Sequence, residues 1–339
     1  MSAFTEHLRR ATSGRPLNAA QMRAAMNALF SGEASDVEIA GFLAALRGRG
    51  ETVEEIAAAA QAMRDHALKV DAPGDVIDTC GTGGDGAGTY NISTAAALIV
   101  AGCGVPVAKH GNKAATSKSG SSDVLAALGV KLDIPPAAIT RCIEDANVGF
   151  MFAAVHHQAV GHVAAARKAL GVRTMFNVLG PLSNPAGAKR QLMGVFARDL
   201  VRPVAEVMRH LGVTRAWVVH GDDGLDELTT TGPSYVAALE HNMVTEFDVT
   251  PEDAGLARAR AEDLAGGDPA ENADSLRRLL DGEKGAYRDI AVLNAAAALV
   301  VADKANHLEP AARIAEQAID SGAAKAALAR LVELSNKYS

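Results

Sequence analysis

The chain changes its pattern at Asp75. Before it, apolar residues recur at helical spacing only. After it, short apolar runs alternate with helical stretches. Such alternation implies a mostly parallel sheet with helices on both faces. The expected strands are 76–78, 105–109, 148–152, 192–196, 216–220 and 244–249, with helices at 94–101, 122–127 and 202–211 among those between them. The expected fold is α/β: a small helical domain over 1–72, then a larger domain over 73–339 with a mostly parallel central sheet flanked by helices. In such sheets ligands bind beyond the carboxyl ends of the strands.

The helical part carries its own start signals. Asn18 with Gln21, Ser35 with Glu38, and Thr52 with Glu55 each place a capping residue three positions before Glu or Gln. Such pairs satisfy the orphan N–H groups of a helix start. Val37, Ile39, Phe42, Leu43 and Leu46 follow at helical spacing, and Gly48 and Gly50 end that helix. The segment Gly180-Pro181-Leu182-Ser183-Asn184-Pro185 reads as a turn-rich hinge or domain crossing.

Composition removes several function classes. With 48% apolar and 22% charged residues, the 339-residue chain can bury a sizeable core. A net charge of -7 and few aromatics, 4%, argue against nucleic-acid binding, which needs basic faces or stacking platforms. Cys80, Cys103 and Cys142 show no zinc spacing and read as reduced thiols of a cytosolic protein. No secretory signal is visible. The most apolar stretch, 95–108, is too short for a bilayer and is broken by Gly102, Gly104 and Pro106, so no membrane partner is expected.

Three loops carry the chemistry. The first, Thr79 to Gly86, follows a strand and precedes a helix starting near Ser93. Its glycines let backbone N–H groups approach a phosphate, and the helix start adds positive potential. Gly81, Gly83 and Gly86 also match the dinucleotide spacing G-x-G-x-x-G. However, the next strand ends in Lys109 rather than in the acid that would bind a ribose hydroxyl. The second loop, Lys109 to Asp123, holds three lysines, four serines and a threonine, with no acid before Asp123. It suits a polyanion. The third, His220-Gly221-Asp222-Asp223-Gly224-Leu225-Asp226-Glu227, brings paired acids to a strand end. Taken alone it reads as an acidic turn. Opposite two phosphate-binding loops it suits magnesium, which favours a few carboxylates plus phosphate oxygens.

These motifs, with Asn91-Ile92-Ser93-Thr94, Ser119 to Asp123, Arg173 to Asn177 and Gly285 to Asp289, resemble those of the anthranilate phosphoribosyltransferase family, in order from about Leu17 to the C-terminus. The resemblance implies a nucleoside phosphorylase/phosphoribosyltransferase-like fold, with helices from about 166–189 joined to the helical domain. It also implies a cytoplasmic homodimer formed through that domain. The implied substrates are phosphoribosyl pyrophosphate and anthranilate, with two magnesium ions.

By the resemblance, Gly81, Gly84, Asp85, Thr89, Asn91, Ile92, Ser93, Thr94, Lys109, His110, Gly111, Asn112, Lys113, Ala114, Ala115, Thr116, Ser117 and Ser121 bind the donor. Gly81, Asn112 and Arg167 meet anthranilate, and Ser93, Asp226 and Glu227 hold metal. The chain departs from the family pattern at Lys113, Ala154, Val160 and Gly161, mainly on the acceptor side. No residue reads as a certain catalytic base. His110 is open to two readings, as a substrate-orienting or a structural histidine. Two alternatives to this activity are a pyrimidine nucleoside phosphorylase and a non-catalytic nucleic-acid-binding relative. Asp226-Glu227 speaks against the first, and the acidic composition against the second.

Overall fold

The computed structural model describes residues 4–114 and 118–338. The chain opens with four helices, α1 (Thr5–Thr12), α2 (Ala19–Phe30), α3 (Asp36–Arg49) and α4 (Val53–Asp65). All three capping pairs form: the Asn18, Ser35 and Thr52 side chains accept the backbone N–H groups of Gln21, Glu38 and Glu55, whose own side chains reach back to the capping residue's N–H. Ile39, Phe42, Leu43 and Leu46 are buried, but Val37 faces solvent, 82% exposed. It lies in the first turn, off the stripe set by the other four.

The sheet follows. Strand β1 (Ile77–Gly81) leads to α5 (Ile92–Gly102), β2 (Val107–Gly111), α6 (Ser121–Ala127), α7 (Pro136–Ala146) and β3 (Val148–Phe152). Next come α8 (Ala153–His156), α9 (Gly161–Leu170) and α10 (Phe176–Leu179), then β4 (Arg190–Gly194), α11 (Val201–His210), β5 (Arg215–Gly221), β6 (Ser234–Glu240) and β7 (Met243–Val249). Helices α12 (Pro269–Leu280), α13 (Ala286–Val301), α14 (Leu308–Asp320) and α15 (Ala323–Lys337) complete the chain.

The strand order is β3-β2-β1-β4-β5-β6-β7. The first five strands in this order are parallel, and β6 and β7 add an antiparallel hairpin at one edge. β6 is a strand that sequence patterning does not call, because Ala237-Ala238-Leu239-Glu240 are good helix formers that pairing with β5 overrides. β2 starts later than expected, at Val107, after Pro106, which has no N–H to give a ladder. β4 lies two residues earlier than expected, in register with β1 from Ile77↔Arg190 to Gly81↔Gly194.

Both faces of the sheet are covered. Along β5, Trp217 and Val219 belong to the apolar core that α5, α13, α14 and α15 share, while Ala216 and Val218 belong to the one shared by α11 and the N-terminal helices. Val163, Ala166, Phe176, Leu179 and Leu182 join the core of the N-terminal helices. The chain therefore returns to the helical bundle between β3 and β4. No helix among the described residues is long and apolar enough to cross a membrane.

Candidate active site

A cleft of about 550 Å³ opens where β1, β2 and β5 end, at the point where the strand order reverses between β1 and β4. Every site residue named from the sequence lines it, apart from Ala115, Thr116 and Ser117, which lie outside the described residues. Met63 of α4 and Phe176 of α10 close it from the helical side.

The acidic loop is seated on two glycines. A Cβ on Gly194 would stand 1.5 Å from the Asp226 carbonyl oxygen, and one on Gly81 would stand 2.2 Å from Asp226 Oδ2. This close approach lets Asp226 Oδ2 accept the Gly83 N–H at 2.6 Å, joining the third loop to the first. Glu227 Oε1 accepts the Ser93 N–H at 3.1 Å, in the first turn of α5, a helix start without a side-chain cap.

Two buried carboxyls thus stand side by side. Burial, and then repulsion from Glu227 and Asp85, pushes Asp226 well above the usual carboxylate range. Burial pushes Glu227 up to about 7, against the pull of Lys109 and the bonds from Ser93. This is a charge excess that a cation relieves. Among the described residues no cage of three or more His, Cys, Asp or Glu exists. A pair of buried carboxyls lining the cleft instead fits magnesium, which keeps waters and substrate phosphates in its shell.

Lys109, 2% exposed, donates to the Thr79 carbonyl at 2.5 Å and lies 3.4 Å from Ser93 Oγ. The second loop is held shut by Asp123, whose Oδ2 accepts the Ala114 and Gly120 N–H groups. Asn91 acts as a bracket: its amide donates to the Ser119 carbonyl, and its oxygen receives Ser119 Oγ and Asn272 Nδ2. Asp85 sits at the lip and accepts the Ala87 N–H. Thr94 is buried in the wall.

At the far end, α9 stops at Gly171, whose φ of 63° is left-handed. Arg167 projects from the last turn over the Phe176 ring, 5.0 Å from its centroid. Burial lowers its pKa, yet a guanidinium remains charged at neutral pH. His157, Phe176 and Asn177 also line the cleft but were not singled out as site residues from the sequence. The adjacent pair His156-His157 was the available signal. His157 packs edge-on against His110, ring centroids 5.0 Å apart. Burial and neighbouring histidines keep both below their usual pKa, His157 at about 4.

Residues 5–67 match the glycosyl transferase family helical bundle domain, and residues 73–325 the glycosyl transferase family a/b domain. Anthranilate phosphoribosyltransferase of Parvibaculum lavamentivorans is 60% identical over 336 residues, 99% of this chain and 98% of that one. The chain belongs to the anthranilate phosphoribosyltransferase family.

The crystal structure of anthranilate phosphoribosyltransferase from Thermus thermophilus superposes with a TM-score of 0.93 at 45% identity, covering 97% of this chain and 99% of that one. The Saccharomyces cerevisiae enzyme, in complex with phosphoribosyl pyrophosphate and magnesium, gives a TM-score of 0.91 at 28% identity, covering 98% of each chain. It is also solved with 4-fluoroanthranilate. The positions where this chain departs from the family pattern, Lys113, Ala154, Val160 and Gly161, all line the same cleft.

Proposed function

We propose that this chain is a magnesium-dependent phosphoribosyltransferase, a pentosyltransferase among the glycosyltransferases. It transfers the 5-phosphoribosyl group of phosphoribosyl pyrophosphate to the amine of anthranilate, giving N-(5-phosphoribosyl)anthranilate and pyrophosphate, the second step of tryptophan biosynthesis. The observation that carries the reading is a single cleft with paired buried carboxyls beside Lys109 and the glycine loop, and a guanidinium at its other end.

Ser93, Asp226 and Glu227 would hold two magnesium ions, which neutralise pyrophosphate charge when bound. The buried Lys109 ammonium and the start of α5 face the negative charge that grows on the leaving pyrophosphate. Neither needs to reorganise, because each is already fixed by its neighbours. Arg167 grips the acceptor carboxylate and aims its amine along the cleft. An aromatic amine is uncharged near neutral pH, so the neutral histidines His110 and His157 are not required as strong bases. Closure of the helical side against the sheet excludes water, which would otherwise take the phosphoribosyl group.

The same reading divides the chain at 72/73, assigns the helices of about 166–189 to the helical domain, and places the enzyme in the cytoplasm as a homodimer through that domain. The test is loss of anthranilate fluorescence with donor and magnesium present. An absence of turnover, or phosphorolysis of a pyrimidine nucleoside in its place, would overturn it.

A further inference from the structure

β1 and β2 part company at the cleft. They pair in parallel only at Ile77↔Val107, whereas β2 and β3 stay in register over five pairs, from Val107↔Val148 to Gly111↔Phe152. Continued, the β1–β2 register would send the His110 N–H to the Thr79 carbonyl, and would use the Ala108 carbonyl as an acceptor for β1. Side chains take those places. The His110 N–H goes to Asp78 Oδ1 at 3.1 Å. The Thr79 carbonyl receives Lys109 Nζ at 2.5 Å. The Ala108 carbonyl receives Asn184 Nδ2 at 2.9 Å, and the same amide nitrogen donates to Asp78 Oδ2 at 2.8 Å.

Asp78 is completely buried. Burial raises its pKa, and the nearby Lys109 ammonium opposes the rise. A buried carboxyl is a costly way to fill a sheet interior, since well-packed apolar residues are often at least as stabilising. Its geometry gives it a use. By taking the His110 N–H it leaves the Thr79 carbonyl free for the donor-site lysine. Through Asn184 it also anchors the 180–185 crossing, whose Gly180 and Pro181 form a wall of the cleft.

We propose that Asp78 is a positioning residue for the donor site: its carboxylate wedges β1 and β2 apart and so seats the Lys109 ammonium where pyrophosphate charge develops. The inference rests on the function proposed above. Asp78→Asn keeps size and shape but offers one acceptor oxygen where two donors arrive. One bond is lost, and a buried donor faces another donor. Leaving such a donor unpaired corresponds to about a ten- to hundredfold loss in the equilibrium it serves.

The experiment measures calorimetric binding of phosphoribosyl pyrophosphate with magnesium, together with steady-state kinetics, for wild type, Asp78→Asn and a core control, Met208→Ala in α11. The expected result for Asp78→Asn is donor binding weakened at least about tenfold and a lower kcat, with the anthranilate KM shifted far less. Met208→Ala should lower the melting temperature without splitting the two substrates. Asn184→Ser, which removes the amide that bridges Asp78 and Ala108, should shift the donor in the same direction and serves if Asp78→Asn does not fold. Wild-type donor affinity in Asp78→Asn and Asn184→Ser, or equal effects of either on both substrates, overturns the proposal. Failure of the wild type itself to bind the donor would overturn the functional reading instead.

Discussion

Arg167 and His157 occupy one end of the cleft and make opposite demands on the solvent around them. Arg167 keeps its charge over an aromatic ring, and a hydrogen bond to a charged group contributes about 1.5–3 kcal/mol. Arg167→Ala is therefore expected to raise the anthranilate KM by about ten- to a hundredfold while leaving the donor KM nearly unchanged. The exposed neighbour Lys168 supplies the control, and Lys168→Ala should do almost nothing. Equal effects on both substrates would remove Arg167 from the acceptor site. His157 is buried neutral, beside His110 and His156, with its pKa lowered from 6.5 to about 4. Above pH 6.5 neither the folded nor the unfolded chain protonates it. As pH falls from 6.5 toward 4 the unfolded chain takes the proton first, so stability is lost across that window, by roughly 3 kcal/mol at most. Urea denaturation from pH 4 to 7 should show a shallower acid slope for His157→Gln than for wild type. An unchanged slope would place the acid sensitivity elsewhere.

At the scale of elements, the site is made by loops crossing over strand ends. The crossing of the β5–β6 connection above β1 and β4 needs two positions without side chains, Gly81 and Gly194. Gly194→Ala puts a methyl group where the Asp226 carbonyl lies. That overlap cannot be relieved by rotating a side chain, so the acidic loop must lift. The expected outcome is a folded protein, with its helical circular dichroism retained, whose magnesium-dependent turnover falls at least about a hundredfold, since a displacement of about 1 Å can cost that much. Turnover near wild type would show that the loop does not need this seat. The glycine has a packing reason here rather than a conformational one, because its backbone is ordinary strand.

For the molecule as a whole, the cleft lies between a helical bundle and a sheet that share one apolar core. A ligand bound only by the folded chain stabilises it by mass action, about 2.7 kcal/mol at a hundredfold excess over Kd. Phosphoribosyl pyrophosphate with magnesium should therefore raise the melting temperature, and pyrophosphate with magnesium should do so as well. No shift at millimolar ligand would count against the donor site. Cys80 and Cys142 are buried free thiols with raised pKa, so neither is a ready nucleophile in the folded chain.

What the sequence determined was local. Capping pairs sit three residues apart, so the N-terminal helices were legible from spacing. Glycine loop, lysine-serine loop and acid pair each follow a strand directly, so alternation alone placed them at one end of one sheet. In the structure Gly81, Lys109 and Glu227 line a single cleft. What only the tertiary structure decided involves partners far apart in the chain. Asp78 reads as an ordinary strand residue until Asn184, 106 positions later, and His110 are seen bound to it. Gly194 is unremarkable until Asp226 crosses above it. His157 enters the site only because α8 folds it onto His110. β6 becomes a strand because a neighbour supplies the ladder that its alanines do not favour. Spacing reports hydrogen bonds made within a turn or two of chain. It is silent on a buried carboxylate or a missing side chain, whose reason is an atom brought near by the fold.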